Sequence, residues 1–204
     1  MDATFLHERW QKKETAFHQG AVNDLLQQFW ARLGLKAGSK VFVPLCGKSV
    51  DMAWLAEQGH RVVAAELSQI AIDDFFAERG LTPAVATHAG FTVKSDSPFE
   101  LWCGDFFDLP PSALAGISGV YDRASLVAFP AAMQGRYAAK LKDLTPARAP
   151  LLLITLDYDQ AQMGAHPSPR HGLRFTICLR TATTSRSSRA SRRSSAIRGL
   201  CSAG

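Results

Sequence analysis

The run Val41-Phe42-Val43-Pro44-Leu45-Cys46-Gly47-Lys48-Ser49, followed by Arg61-Val62-Val63-Ala64-Ala65-Glu66, constrains this chain more than any other part of it. It predicts a buried strand, a tight turn, a helix, a second buried strand and an acid at that strand's end. Such a βαβ unit needs a parallel sheet covered by helices on both faces. Glu66 falls about twenty residues past Gly47, the separation at which these units set a carboxylate against ribose hydroxyls. An acid in that place implies a nucleoside-bearing cofactor; a merely solvated strand end is the other reading. Gly47 allows a sharp turn and a close approach of ligand to main chain. The helix is expected from Ser49 to about Gln58, with Gly59 as its stop. Only one glycine lies in the turn, so the three-glycine dinucleotide pattern is absent.

The alternation of elements continues. Residues from about Asp2 to Gly34 read as helical, broken near Phe17-His18-Gln19-Gly20. Ser68 is a good N-cap for a helix burying Ile70, Ala71, Phe75 and Phe76, with Gly80 ending it. Phe91–Val93 and Phe99–Trp102 predict a hairpin across Lys94–Pro98, and Gly119–Asp122 a short strand. Ala131–Leu144 reads as a helix and Leu151–Leu156 as a fully buried strand. One α/β domain is expected over residues 1–163, with a helical cover at 1–35 and a Rossmann-like core at 36–163.

After Met163 this pattern stops. All 18 acids of the chain lie between Asp2 and Asp159, whereas residues 164–204 hold eight Arg and neither Lys nor acid. Residues 1–163 therefore carry 15 Lys and Arg against 18 acids, a formal charge of −3. The basic balance belongs to the tail, so no nucleic-acid partner is expected for the body. The Arg/Ser-rich composition of 164–204 predicts a disordered or aberrant segment in which only Leu173–Leu179 keeps an apolar pattern. It has the character of GC-rich DNA translated in a shifted frame; an authentic tail that binds nucleic acid is the alternative. Cys46, Cys103, Cys178 and Cys201 lack metal-site spacing and read as reduced thiols. With no apolar signal core and no span-length apolar run, the expected location is the cytoplasm.

In an open parallel sheet a ligand lies beyond the carboxyl ends of the strands. That places Leu45–Lys48, Glu66, Asp105, Phe106, Arg123 and Asp157–Asp159 as candidates. Asp105 could meet an adenine amino group with Phe106 against the base, or could simply form an Asx turn. Arg123 suits a ligand carboxylate, or a salt bridge to Asp122 or Glu66. His18 reads better as structural than as a base, and two aspartates near residue 158 are poor grounds for a metal.

Several motifs together resemble one family. They are Trp10 with Phe17-His18-Gln19, Pro44-Leu45-Cys46-Gly47-Lys48-Ser49, Glu66-Leu67-Ser68, Gly104-Asp105-Phe106-Phe107-Asp108-Leu109, Tyr121-Asp122-Arg123-Ala124-Ser125-Leu126-Val127-Ala128 and Tyr158-Asp159. The combination resembles the bacterial branch of the thiopurine S-methyltransferases, from Met1 to about Met163. The resemblance implies a class I, Rossmann-like fold with a mostly parallel sheet and S-adenosylmethionine as cofactor. It implies an S-methyltransferase of aromatic and heterocyclic thiols, with selenium and tellurium compounds as further acceptors, acting as a monomer on small molecules. By the same resemblance Trp10, Leu45, Glu66 and Arg123 contact the cofactor, Asp105 and Phe106 lie at its adenine, and Phe17, with Arg123, borders the acceptor. No catalytic base and no metal ligand is nominated.

The family's closing strands have no counterpart in residues 164–204. The sheet is therefore expected to lack its last strands and to expose the flank of Leu151–Leu156, an aggregation hazard. Cofactor binding by such a chain is expected to be weak and its activity impaired. A nicotinamide-dependent oxidoreductase, or a nucleic-acid binder acting through the tail, are the rival classes.

Overall fold

The computed structural model describes residues 20–157, 174–180, 185–188 and 200–201. Trp10, Phe17 and His18 lie outside these residues, as do Tyr158 and Asp159. Helix α1 (Asp24–Phe29) runs into a 3-10 turn at Trp30–Leu33, and then β1 (Lys40–Val43), α2 (Asp51–Glu57), β2 (Arg61–Glu66) and α3 (Gln69–Ala77) follow. Next come β3 (Ala84–His88), β4 (Phe91–Asp96), β5 (Phe99–Cys103) and β6 (Ile117–Arg123). After α4 (Ser125–Ala128) and α5 (Ala131–Leu144) the chain forms β7 (Leu151–Asp157), β8 (Arg174–Arg180) and β9 (Ser185–Ser188).

Among the described residues these strands make one sheet in the order β3-β4-β5-β2-β1-β6-β7-β8-β9. The five central strands, β5 to β7, run parallel. Both flanks are antiparallel. Strand β1 has β2 on one side and β6 on the other, so the chain order reverses there. The crevice beyond the carboxyl ends of β1 and β6 is the switch point of an open α/β sheet.

Side chains alternate across the sheet with the strand period of two. Phe42, Val63, Ala65 and Val120 pack on one face with Phe106, Tyr137 and Leu141. Val41, Val43, Val62, Ala64 and Tyr121 pack on the other with Leu26, Trp30, Met52, Leu55, Ile72 and Phe75. Both faces are covered, which is why these strands read as continuous apolar runs. Ser68 caps α3 with its hydroxyl on the Ala71 N–H, as expected, and Gly59 and Gly80 follow α2 and α3 with positive φ.

Four expectations change. Ile70 is exposed (39%) rather than part of the buried face of α3. It immediately precedes Ala71 and lies on the side of the helix away from the Ala71-Ile72-Phe75-Phe76 face. The flank of β7 is not bare: β8 pairs with it through all seven residues, from Leu151 opposite Arg180 to Asp157 opposite Arg174. The short apolar pattern at Leu173–Leu179 suffices, because a strand edge is satisfied by main-chain groups whatever the side chains. Leu200 and Cys201 are buried in the core against the first face, so the tail is not wholly excluded from the packing. The rest of the expected disordered segment lies outside the described residues. Cys46 and Cys103 are free thiols as expected, whereas Cys201 is disulfide-bonded.

Candidate functional site

Glu66 ends β2 and is nearly buried (9% exposed). Its carboxylate braces two turns at once. Oε2 accepts the Gly47 N–H at 2.8 Å, and Oε1 accepts the Ser68 N–H at 2.8 Å. The turn after β1 is thereby drawn against the end of β2, helped by the Cys46 N–H on the Ala65 carbonyl. Leu45 (φ 45°) and Gly47 (φ 53°) both take left-handed backbone in this turn. Glycine does so without strain, but leucine does not. The strained residue is thus held where main chain lines the crevice. Lys48 turns away to pair with Asp74 of α3 and with Glu78 at its C-cap.

Arg123 ends β6 on the opposite side of the same turn. Nη2 donates to Ser49 Oγ at 3.0 Å. Nε lies 2.8 Å from Asp51 Oδ2 as an ion pair, its N–H not aimed along that line. The predicted partners Asp122 and Glu66 are not used. Neighbours on a strand point to opposite faces, so Asp122 faces α5, where it accepts the Tyr137 hydroxyl (2.7 Å) and the Ser125 N–H (3.2 Å). Ser125 Oγ in turn donates to the Pro44 carbonyl. Serine and arginine therefore tie the turn after β6 to the turn after β1.

Asp105 takes the Asx-turn geometry, its Oδ1 accepting the Phe107 N–H at 2.8 Å, and is exposed. The Phe106 ring is buried between Phe42 (stacked, 6.5 Å) and Tyr137 (5.0 Å). The structure thus gathers Leu45, Gly47, Glu66 and Arg123 around one turn. Asp105 follows β5, whose last residue Cys103 pairs with Glu66.

The thiopurine S-methyltransferase family model matches residues 1–171. The chain belongs to that family. It is 50% identical over 171 residues to the thiopurine S-methyltransferase of Methylococcus capsulatus, covering 83% of this chain and 77% of that protein. Against the Pseudomonas fluorescens thiopurine S-methyltransferase it is 47% identical over 167 residues, 82% of this chain and 75% of the other. A solved S-adenosylmethionine-dependent methyltransferase from Anabaena variabilis shares the fold at 15% identity, with a TM-score of 0.54 over 76% of this chain and 61% of that one. Family membership makes this a methyltransferase that uses S-adenosylmethionine, and it displaces the oxidoreductase reading.

In this family member two thiols flank Glu66. Burial, and then the Glu66 charge, push Cys46 well up, and the same causes push Cys103 up to about 11. Both stay protonated at neutral pH and are poor nucleophiles. Ser49, Tyr121 and Ser125 lie in the motifs that carry the resemblance, but nothing in the sequence assigned a role to them, nor to Asp51. Asp51 opens a helix, where an acid is ordinary, and its partners Tyr121 and Arg123 lie on a strand 70 and 72 residues further along the chain. The only signal was a tyrosine on β6 between Val120 and Asp122.

Asp122 gives one pH prediction. Burial pushes its carboxyl up to about 6, against the Tyr137 and Ser125 hydrogen bonds that pull it down. A carboxyl raised above its unfolded value of about 4 favours the fold most below that value. The advantage is lost as pH rises through the folded value. Its contribution to stability should fall between pH 4 and 6 by on the order of 2–3 kcal/mol. Denaturant midpoints measured across that window should fall less steeply for Asp122→Asn than for the parent; parallel curves would contradict the assignment.

Proposed function

We propose that this chain transfers the methyl group of S-adenosylmethionine to the sulfur of aromatic and heterocyclic thiols, thiopurines among them, with selenium and tellurium compounds as further acceptors. The supporting observation is the pair of opposite charges at the switch point, Glu66 and Arg123, on either side of the 44–49 turn. The cofactor's ribose diol can donate to a carboxylate, and its methionyl carboxylate can accept from a guanidinium. The residues present fit the cofactor on both counts.

In this reading Glu66 binds the ribose and Arg123 the methionyl carboxylate, while Leu45 and Gly47 supply the main chain the cofactor lies against. Asp105 takes the adenine edge. Phe106 contributes through its main chain, since its ring is packed between Phe42 and Tyr137. Trp10 and Phe17 are assigned to close over the methionine portion and the acceptor, with Arg123 bordering the acceptor as well. When bound, S-adenosylmethionine supplies a sulfonium methyl to which a thiolate lone pair forms a new S–C bond as the old one breaks, its electron pair staying with the departing sulfur. Two opposite charges vanish in that step, so side chains that keep water out accelerate it. Alignment of the reactants by the pocket supplies much of the rest. A heteroaromatic thiol is acidic enough to arrive as the thiolate, so no base is assigned.

Among the described residues no helix is long and apolar enough to cross a membrane. We place the enzyme in the cytoplasm as a monomer acting on small molecules, with no nucleic-acid partner for residues 1–163. The family match runs to residue 171, past Met163, and stops short of the Arg/Ser-rich remainder; that supports a shifted reading frame in this region and a turnover below that of a full-length member. A single inserted or deleted base near codon 163 that restores family sequence is the expected finding in the encoding DNA. Methyl transfer is tested with methyl-labelled S-adenosylmethionine and thiophenol. Label in the aryl methyl thioether is expected. Tight binding of S-adenosylhomocysteine without label transfer to any aromatic thiol would remove the acceptor assignment and leave the cofactor assignment standing.

A further inference from the structure

Asp51 is 1% exposed, and two hydrogen-bond donors and one guanidinium converge on it. The Asn23 N–H, at the N-cap of α1, donates to Oδ1 at 2.8 Å. The Tyr121 hydroxyl donates to Oδ2 at 2.8 Å, and Arg123 Nε lies 2.8 Å from the same oxygen. Tyr121 and Arg123 stand two apart on β6 and therefore share a face. Burial, and then the Asp51 charge, push the Tyr121 phenol far up, so it remains a donor. Trp30 packs edge-on against the Tyr121 ring, 6.3 Å between centroids. The carboxylate is thus fixed from α1, from α2 and from the sheet before the arginine reaches it.

We propose that Asp51 is the positioning residue for Arg123, and through it sets the affinity for the carboxylate of the cofactor's methionyl group. A guanidinium is a planar fork whose orientation decides whether it meets a carboxylate squarely. Asp51 takes the Nε edge and Ser49 takes one Nη2 hydrogen, and Nη1 has no partner among the described residues. An arginine left to itself samples many rotamers, and immobilising it on binding costs affinity. Holding it beforehand removes that cost. The buried ion pair is an expensive arrangement for stability alone, and a positioning role gives it a use. The inference rests on the assignment of Arg123 to the methionyl carboxylate.

The test compares two ligands that share the adenosyl group. S-adenosylhomocysteine carries the carboxylate; 5′-methylthioadenosine lacks it. Calorimetric titration of the full chain gives the ratio of their affinities. Asp51→Asn keeps one acceptor oxygen, for the Asn23 N–H, and turns an NH2 toward the Tyr121 hydroxyl, which can rotate to accept from it, while the charge that holds Nε is removed. It should weaken S-adenosylhomocysteine about tenfold and leave 5′-methylthioadenosine within about twofold. Tyr121→Phe removes one brace and keeps the ion pair, and should lower the ratio about threefold. Arg123→Lys separates the two layers of the argument. If Arg123→Lys leaves the ratio unchanged, the assignment of Arg123 fails. If it lowers the ratio while Asp51→Asn and Tyr121→Phe do not, the positioning role alone fails. Equal weakening of both ligands by Asp51→Asn marks a merely structural residue and also overturns the proposal. Should Asp51→Asn not fold, the Tyr121→Phe ratio decides, and an unchanged or raised value sinks it.

Discussion

Replacing Glu66 by alanine is expected to weaken S-adenosylhomocysteine binding about tenfold or more. A hydrogen bond to a charged group contributes about 1.5–3 kcal/mol, and in our assignment the ribose diol donates to this carboxylate. The structure adds a second loss. Glu66 also accepts the N–H groups of Gly47 and Ser68, so the alanine variant frees the turn that carries Leu45 in left-handed backbone. Relaxation of that residue would move the main chain lining the crevice. Glutamine should rescue only in part. Its amide offers one acceptor oxygen, and its NH2 would face a backbone N–H, donor against donor. Aspartate keeps the charge but, one methylene shorter, cannot span both turns. The expected order of affinity is wild type, then glutamine and aspartate, then alanine, read by calorimetry beside thermal melts. An unchanged dissociation constant for the alanine variant would take Glu66 out of the site.

Ending the chain after Asp157 is expected to cost most of the soluble protein, roughly a tenfold fall in monomer yield. Strand β7 is buried from Leu151 to Thr155. One edge pairs with β6, the other with β8 over seven residues. Removing β8 leaves a row of unpaired N–H and C=O groups on an apolar strand, a template for association with another copy. The same truncation empties the space of Leu200, fully buried among residues such as Leu141, Leu144 and Leu153. Loss of a buried leucine side chain alone costs about 2–5 kcal/mol. Size-exclusion chromatography of the truncated and full chains checks the expectation. A monomeric truncated chain with an unchanged melting temperature would show that β8 and Leu200 contribute nothing to the fold.

The parallel core was legible because strands buried on both faces must be apolar throughout. β1, β2 and β7 announced themselves in that way, and the Ala131–Leu144 helix matches its predicted span. Strand β3 was not foreseen. All five of its residues are exposed, and Ala-Val-Ala-Thr-His shows no alternation for a core to impose. β8 gave a faint signal and β9, Ser-Arg-Ser-Ser, none, since pairing at a sheet edge is a main-chain matter. At the site, Glu66 and Gly47 were visible through their separation along the chain. Arg123 was visible through its place at a strand end, but its partner was not. The choice of Asp51 over Asp122 follows from Arg123 and Asp122 taking opposite faces of β6, and which helix covers each face is not written in the sequence.

The seam between the turns after β1 and β6 has a further consequence. Stitched by Ser125 to Pro44 and by Arg123 to Ser49, the floor beneath the crevice is one piece rather than two lips. Spreading it to admit a bulkier guest would break both hydrogen bonds. Variation in acceptor choice must then be written in whatever closes over the crevice from above. Randomising residues 44–49, 122, 124 and 125, with Arg123 kept, would be expected to spoil the grip on the donor without broadening what is methylated.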